Sequence, residues 1–337
     1  MSAPKVSVVI PSYNHARFLR RRVQSVLRQT FQDFELILLD DCSTDESRSI
    51  LSEYTSEPRV RIVLNDVNSG SSFKQWNKGV SLATGEYVWI AESDDDAELN
   101  LLQYLVPILE GNLKVAFAYC RSQCVSAEDQ ELGFADTIYF PRFDPQRWTT
   151  DFCADGREEC RTHLVRYNTV PNASAVLFRR IIYAQVGGAD ESLRLCGDWK
   201  LWASMALVGE VAYIAKPLNY FRIHGSSVTS TADQAKVHVL EWLQVIRWIL
   251  ERVTPSNATL KKVCEYQANR WVPAVLSFRV SLDVKMAILD CVRAIDPHPI
   301  RSMFRPALAA ISRKISRYWR TFSSPNSESK NDGEVTK

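Results

Sequence analysis

The stretch that decides the fold is Tyr87-Val88-Trp89-Ile90-Ala91-Glu92-Ser93-Asp94-Asp95-Asp96. Its first half is apolar and β-prone, which predicts a buried strand. Four acids stand in the next five residues, where that strand should end. Carboxylates this close repel one another and cannot follow the strand into a core. Two interpretations stay open on these residues alone: a divalent cation held by carboxylate oxygens, and a solvated acidic loop before a helix.

Strands and helices alternate outward from this stretch through the first 120 residues. Residues 6–10, 34–39 and 60–64 are predicted strands, and predicted helices at 17–29 and 43–54 separate them. This alternation indicates βαβ units and a mostly parallel sheet flanked by helices, so the predicted class is α/β. Ligands bind beyond the carboxyl ends of the strands in such sheets. Three of those ends carry polar residues, at 11–14, 40–41 and 92–96. Residues 121–230 are predicted to be less regular.

Composition describes an ordinary globular protein. The 337 residues are 46% hydrophobic and 24% charged, with a net charge of +2, which argues against a nucleic-acid partner. The eight cysteines show no CxxC pair, so we expect reduced thiols in a cytoplasmic protein. No window reaches the roughly 18–20 uninterrupted apolar residues of a membrane-spanning helix.

Several common catalytic motifs are absent from the sequence. There is no GxGxxG after the first strand and no GxxxxGK[ST], which argues against a dinucleotide-binding dehydrogenase and a P-loop NTPase. GxSxG and HExxH are absent too. What remains is a nucleotide-sized crevice with a candidate cation site and an isolated downstream Asp198.

An ordered series of short motifs carries a family resemblance. The series resembles the inverting, nucleotide-sugar-dependent family 2 glycosyltransferases over roughly residues 4–230. Its members lie at 6–14, 39–45, 68–70, 77–79, 85–87, 92–95, 187–191, 197–202 and 222–224. The resemblance implies a GT-A fold at 1–230. A helical C-terminal region is expected at 231–323, with a disordered tail at 324–337.

The resemblance also implies which residues bind the donor. Pro11 and Tyr13 would line the base pocket, with Tyr13 supplying a stacking face. Asp41 would accept a hydrogen bond from the ring N–H of the base, as suits uracil. Glu92 would reach the ribose or a bound water. The structural alternatives are packing for Tyr13 and helix capping for Asp41.

The remaining implied roles concern the cation and the chemistry. Asp94 would contribute to donor binding and ligate Mn²⁺ or Mg²⁺, and His224 would lie near the diphosphate or the cation. Asp198 would be the general base. A structural histidine and a surface helix cap are the respective alternatives for His224 and Asp198. Asp95 and Asp96 are expected to shape the loop.

A basic amphipathic segment is predicted at 300–323. Its apolar residues recur at helical spacing and its arginines stand opposite them. Such a helix can lie on an anionic membrane surface, here the inner face of the cell membrane, or pack on the protein. Both interpretations stay open.

The function predicted from sequence is transfer of a sugar, with inversion, from a nucleotide-sugar to a hydroxyl of a glycan or lipid-linked glycan. We expect the donor to be UDP-linked and the pathway to be cell-surface polysaccharide synthesis. One alternative is a non-catalytic glycan- or nucleotide-binding protein on a degenerate GT-A fold. The other is a sugar nucleotidyltransferase, which would need a Gly-rich basic loop where residues 11–14 stand.

Overall fold

The computed structural model describes residues 3–140, 144, 146–225, 232–278 and 280–300, with the backbone alone at 232–237. The predicted segment 300–323, apart from Ile300, and the tail 324–337 lie outside the described residues.

A single ten-stranded sheet forms the centre of the described chain. Its strands are β1 (Val6–Ser12), β2 (Phe34–Asp40), β3 (Val60–Leu64), β4 (Tyr87–Ile90), β5 (Asp96–Ala97), β6 (Val115–Ser126), β7 (Glu131–Phe134), β8 (Phe152–Asp155), β9 (Val176–Arg179) and β10 (Glu210–Ile223). The order is β3-β2-β1-β4-β9-β6-β10-β5, with β7 paired to β6 and β8 to β10.

The strand pairs with the most paired residues in this sheet are parallel. β1 runs parallel to both β2 and β4, and β6 runs parallel to β10. The antiparallel pairs are short. The predicted α/β class with a mostly parallel sheet is therefore confirmed. Ser12 stands opposite Asp40, and Val9 stands opposite Ile90, so the carboxyl ends of β1, β2 and β4 meet at one edge.

Helices cover both faces of the sheet. They are α1 (Ala16–Leu27), α2 (Ser47–Ser52), α3 (Ser72–Leu82), α4 (Leu101–Gly111), α5 (Ala135–Tyr139), α6 (Gly156–Glu159), α7 (Arg180–Gln185), α8 (Gly197–Ala206), α9 (Ala232–Leu250), α10 (Asn257–Leu276) and α11 (Leu282–Ile295). Within the described ranges, none of these helices has both the length and the apolarity that crossing a bilayer requires.

Two apolar clusters form the core because side chains alternate between the faces of a strand. Val8 belongs to the cluster covered by α1, α2 and α4. Val9 belongs to the opposite cluster, which contains residues of α3 and α8 and also of α9, α10 and α11. The C-terminal helices thus share a core with the layer that carries Asp198. The division at residue 230 stays a prediction.

The strand β10 is a long regular element that was not predicted within the less regular region 121–230. It runs for 14 residues although it contains Pro217, where its register with β6 shifts. Its Tyr220 pairs with Asp96 of β5. This pairing carries the residues after β10, including His224, back to the acidic stretch.

Candidate active site

A cavity of about 290 Å³ opens at the carboxyl edge of β1, β2 and β4. The end of β1 and the loop after it contribute Pro11 and Tyr13, and the segments after β2 and β4 contribute Asp41 and Glu92. Of the residues predicted to bind the donor, these four line the cavity, and Asp94 does not. Tyr13 is 46% exposed, so its ring is accessible to a ligand.

Asp41 organises the loop on one side of this cavity. Its Oδ1 accepts hydrogen bonds from Asn65 Nδ2 at 2.7 Å, the Ser69 backbone N–H at 2.9 Å and Gln75 Nε2 at 2.9 Å. Among the described residues, its Oδ2 accepts one hydrogen bond, from Ser69 Oγ at 2.7 Å, and so keeps capacity for another donor. The turn that follows is capped by Asp40 and not by Asp41.

Glu92 lies between β4 and helix α3. Its Oε1 accepts a hydrogen bond from Trp76 Nε1 at 2.6 Å, and its backbone N–H donates to Ser174 Oγ at 2.9 Å. Burial and the nearby charge of Asp94 raise the pKa of Glu92 to about 8, although the Trp76 bond opposes this shift. The carboxyl is therefore mostly protonated at neutral pH and can donate as well as accept a hydrogen bond.

Asp94, His15 and His224 form a compact cluster beside the cavity. Their potential ligand atoms all lie within 4.8 Å of one another. His224 Nε2 is 2.9 Å from Asp94 Oδ2, and His15 Nδ1 is 2.7 Å from Ser93 Oγ. The structure joins the two residues that the sequence assigned to the cation and adds His15.

The protonation states of His15 and Asp94 suit the binding of a divalent cation. Burial lowers the pKa of His15, so its imidazole is neutral at neutral pH. Burial acts to raise the pKa of Asp94, but the hydrogen bond with His224 is the largest of the opposing effects, and the pKa is lowered. One carboxylate oxygen and two imidazole nitrogens are ligand types that divalent transition-metal ions accept.

Asp95 fixes the acidic loop to the rest of the sheet. Its carboxylate accepts hydrogen bonds from Asn172 Nδ2 at 2.8 Å, Ser174 Oγ at 2.6 Å and the Arg222 backbone N–H at 2.9 Å. Arg222 Nε also donates to the Asp94 carbonyl at 2.8 Å. These bonds hold the end of β10 over the loop, and His224 follows two residues later.

A buried guanidinium stands behind the same loop. Arg22 of α1 is 0% exposed and lies 4.9 Å from the Trp89 ring centroid. It faces the charges of the acidic residues, Asp95 and Asp96 foremost, which oppose the lowering of its pKa by burial. The positive charge of Arg22 therefore offsets part of the repulsion within the acidic stretch.

Asp198 lies in the first turn of α8 and is not among the residues that line the cavity. Asn168 Nδ2 donates a hydrogen bond to Asp198 Oδ2 at 2.9 Å. Burial raises the pKa of Asp198 to about 7, against hydrogen bonds from the Trp199 backbone and Asn168. A Cβ at Gly197 would lie 2.5 Å from the Phe73 ring, so glycine lets α8 approach α3 closely.

Similarity to known proteins was found at the level of sequence. The family model "Glycosyl transferase family 2" matches residues 7–156. The uncharacterized glycosyltransferase alr2836 of Nostoc sp. is 27% identical over 242 residues, which are 68% of this chain and 70% of that protein. Chondroitin synthase of Pasteurella multocida is 26% identical over 257 residues, which are 75% of this chain and 24% of that protein.

Residues 7–156 of the chain belong to glycosyl transferase family 2. The matched range includes Asp41, Glu92 and Asp94 of the site. Asp198 and His224 lie beyond the matched range, so the roles predicted for them rest on the resemblance alone.

Solved structures show the fold of this chain. S. aureus TarS 1-349 in complex with UDP-GlcNAc has a TM-score of 0.66 at 18% identity, covering 93% of this chain and 89% of that chain. The mannosyltransferase PcManGT from Pyrobaculum calidifontis, in complex with GDP-Man and Mn²⁺, has a TM-score of 0.56 at 15% identity, covering 95% and 84%. The predicted GT-A fold is confirmed.

Two residues at the site were not predicted from the sequence. His15 stands two positions after Tyr13 and could have been noticed as a polar residue at the end of β1. Arg194 lines the cavity from the loop before α8. No pattern in the sequence singles out Arg194, because only the packing of that loop brings it to the edge of the sheet.

Proposed function

We propose that this glycosyltransferase moves a sugar from a UDP-sugar to a hydroxyl of a glycan or lipid-linked glycan, with inversion. The observation that carries the proposal is the cluster of Asp94, His15 and His224 beside a cavity that contains Tyr13 and Asp41. A nucleoside needs an aromatic face and a hydrogen-bond acceptor, and its diphosphate needs a counter-charge. The edge of the sheet offers the aromatic face and the acceptor, and the cluster offers ligands for a cation that would provide the counter-charge.

The donor base is the part of the proposal that Tyr13 and Asp41 support. The accessible Tyr13 ring can stack on a base, and Asp41 Oδ2 can accept from the N–H of a uracil ring. The complex of TarS with UDP-GlcNAc agrees with a uridine donor. The complex of PcManGT with GDP-Man makes GDP the competing donor class.

A divalent cation would be held by Asp94, His15 and His224. Two imidazoles in the donor set favour Mn²⁺ over Mg²⁺, which prefers oxygen ligands. When bound, it would neutralise charge on the leaving diphosphate. The Mn²⁺ in the PcManGT complex agrees with this assignment.

Asp198 would take the proton of the acceptor hydroxyl. In a single displacement, the acceptor oxygen bonds to the anomeric carbon while the bond from that carbon to the diphosphate breaks. The hydroxyl proton passes to the Asp198 carboxylate, and the nucleoside diphosphate leaves with the electron pair. A pKa of about 7 suits a base that works near neutral pH.

The proposed acceptor is supported by a relative and by the predicted C-terminal segment. A polysaccharide synthase, chondroitin synthase, is among the relatives. A lipid-linked acceptor would also suit attachment of the predicted segment 300–323 to the inner face of the cell membrane. Deleting residues 300–337 and measuring binding to anionic vesicles tests the attachment, and unchanged binding would refute it.

The experiment that tests the function combines ligand binding with turnover. Thermal shifts of the full chain with UDP, GDP and dTDP, each with and without Mn²⁺, identify the donor base through linkage. Asp198→Asn should then retain UDP and Mn²⁺ binding while transfer falls about 10²–10⁴-fold. Asp283→Asn is the matched control, since Asp283 also lies in the first turn of a helix but is exposed. Full activity of Asp198→Asn would refute the assignment of the base.

A further inference from the structure

Helix α9 directs one carboxylate into the loop that precedes α8. Glu241 is only 5% exposed. Its Oε1 accepts a hydrogen bond from the Arg194 backbone N–H at 2.8 Å. Its Oε2 accepts from the backbone N–H groups of Leu195 at 2.8 Å and Cys196 at 3.0 Å. A single side chain of the C-terminal region thus fixes three successive peptide units.

This arrangement is more than is needed to hold α9 against the protein. Apolar contacts already do so, because Trp242 of α9 packs edge-on against Trp199 of α8 at 5.0 Å and against Tyr167 at 4.9 Å. Burying a carboxylate is costly unless hydrogen bonds compensate it. Three converging N–H groups provide that compensation and bind an anion in the manner of a backbone nest.

The fixed loop carries two groups of the site. The Arg194 side chain lines the donor cavity, and Asp198 follows Cys196 by two residues. The peptide units that Glu241 holds are therefore the direct covalent link between the cavity wall and the first turn of α8. A shift of this loop would move both groups together.

We propose that Glu241 is a positioning residue of the transferase site, which holds Asp198 in place for proton transfer through the backbone of residues 194–196. The proposal rests on the proposed function, in which Asp198 is the base. Helix α9 lies outside the range matched by the family model. Under this proposal it helps to maintain the geometry of the active site.

The charge of Glu241 provides a second, measurable link to Asp198. Among the groups facing Asp198, the Tyr167 phenol and the Cys196 thiol have pKa values raised by burial, so both are neutral at neutral pH. Asn168 is uncharged. Glu241 is the charged neighbour, and its negative charge adds to the burial that raises the pKa of Asp198. Arg270 of α10, 3.9 Å from the Trp242 ring centroid, is a nearby cation that acts on the Cys196 thiol and the Tyr167 phenol. His238 of α9 also faces Glu241, and burial lowers the pKa of its imidazole, which is therefore neutral at neutral pH.

Two substitutions separate geometry from charge. Glu241→Gln keeps the size of the side chain but loses the charge and places an NH₂ group against a backbone N–H. We expect kcat to fall about 10–100-fold, more than KM for the donor rises, and the acidic limb of the kcat–pH profile to move to lower pH. Glu241→Asp keeps the charge on a shorter arm, so kcat should fall while the limb stays. Glu251→Gln, an exposed carboxylate just after α9, should change neither.

Hydrogen–deuterium exchange of residues 193–199 provides a readout that does not require activity. Exchange there should be faster in Glu241→Gln than in the wild type and in Glu251→Gln, at temperatures where melting curves show all three folded. Wild-type kcat and an unmoved acidic limb in Glu241→Gln would overturn the proposal. Unchanged exchange in Glu241→Gln would also overturn the positioning role of Glu241, and this result can be read even if the protein shows no transfer. A wild-type protein that transfers sugar from none of the donors would refute the proposed function, independently of the exchange result.

Discussion

Asp41→Asn tests whether the residue that organises the loop also recognises the base. The amide oxygen of the new side chain can replace Oδ1 and keep the bonds from Asn65, Ser69 and Gln75. The NH₂ group then stands where Oδ2 was, facing Ser69 Oγ, and this hydroxyl can turn to accept. The fold should therefore survive at a cost of about 1 kcal/mol.

The effect on the donor should be larger. An NH₂ group cannot accept a hydrogen bond from the N–H of a uracil ring. A hydrogen bond to a charged acceptor is worth about 1.5–3 kcal/mol, so the dissociation constant for UDP should rise about 10–150-fold. The same substitution should leave Mn²⁺ binding without nucleotide unchanged, because Asp41 is not in the cation cluster.

Calorimetric titration of UDP and of Mn²⁺ into the two proteins measures both quantities. Asp66→Asn is the matched control, since Asp66 is exposed in the loop after β3 that Asp41 organises and does not line the cavity. An unchanged UDP affinity in Asp41→Asn, with the melting temperature close to that of the wild type, would show that Asp41 stabilises the loop and does not contact the base. Base recognition by this carboxylate would then be refuted.

Two further outcomes are expected. His15→Ala should weaken Mn²⁺ binding at least tenfold and so reduce the thermal shift that Mn²⁺ produces; an undiminished shift would remove His15 from the cation site. Because the folded-state pKa of Glu92 is raised from 4.5 to about 8, the folded state binds an extra proton between these values and stability should fall as pH rises through this window. Glu92→Gln should flatten that fall in urea melts, and an equally steep fall in the variant would exclude Glu92 as its source.

The sequence predicted which helices form more accurately than it predicted where they begin and end. The pattern after β2 predicted a helix from residue 43, but α2 begins at Ser47. The intervening turn is stabilised by Asp40, which accepts a hydrogen bond from the Ser43 backbone and pairs with Arg48. Such side-chain bonds compete with helical ones, and sequence periodicity does not reveal them.

The sequence by itself determined the alternation of strands and helices and the three polar strand ends. Those signals are local, because the apolar period of a segment follows from its own residues. Only the tertiary structure decided which residues, distant in the sequence, contact these strand ends. His224 reaches Asp94 through the pairing of β10 with β5, and Glu241 reaches the loop before α8 through the packing of α9. Contacts between residues so distant in the chain depend on register and packing, which a local pattern does not encode.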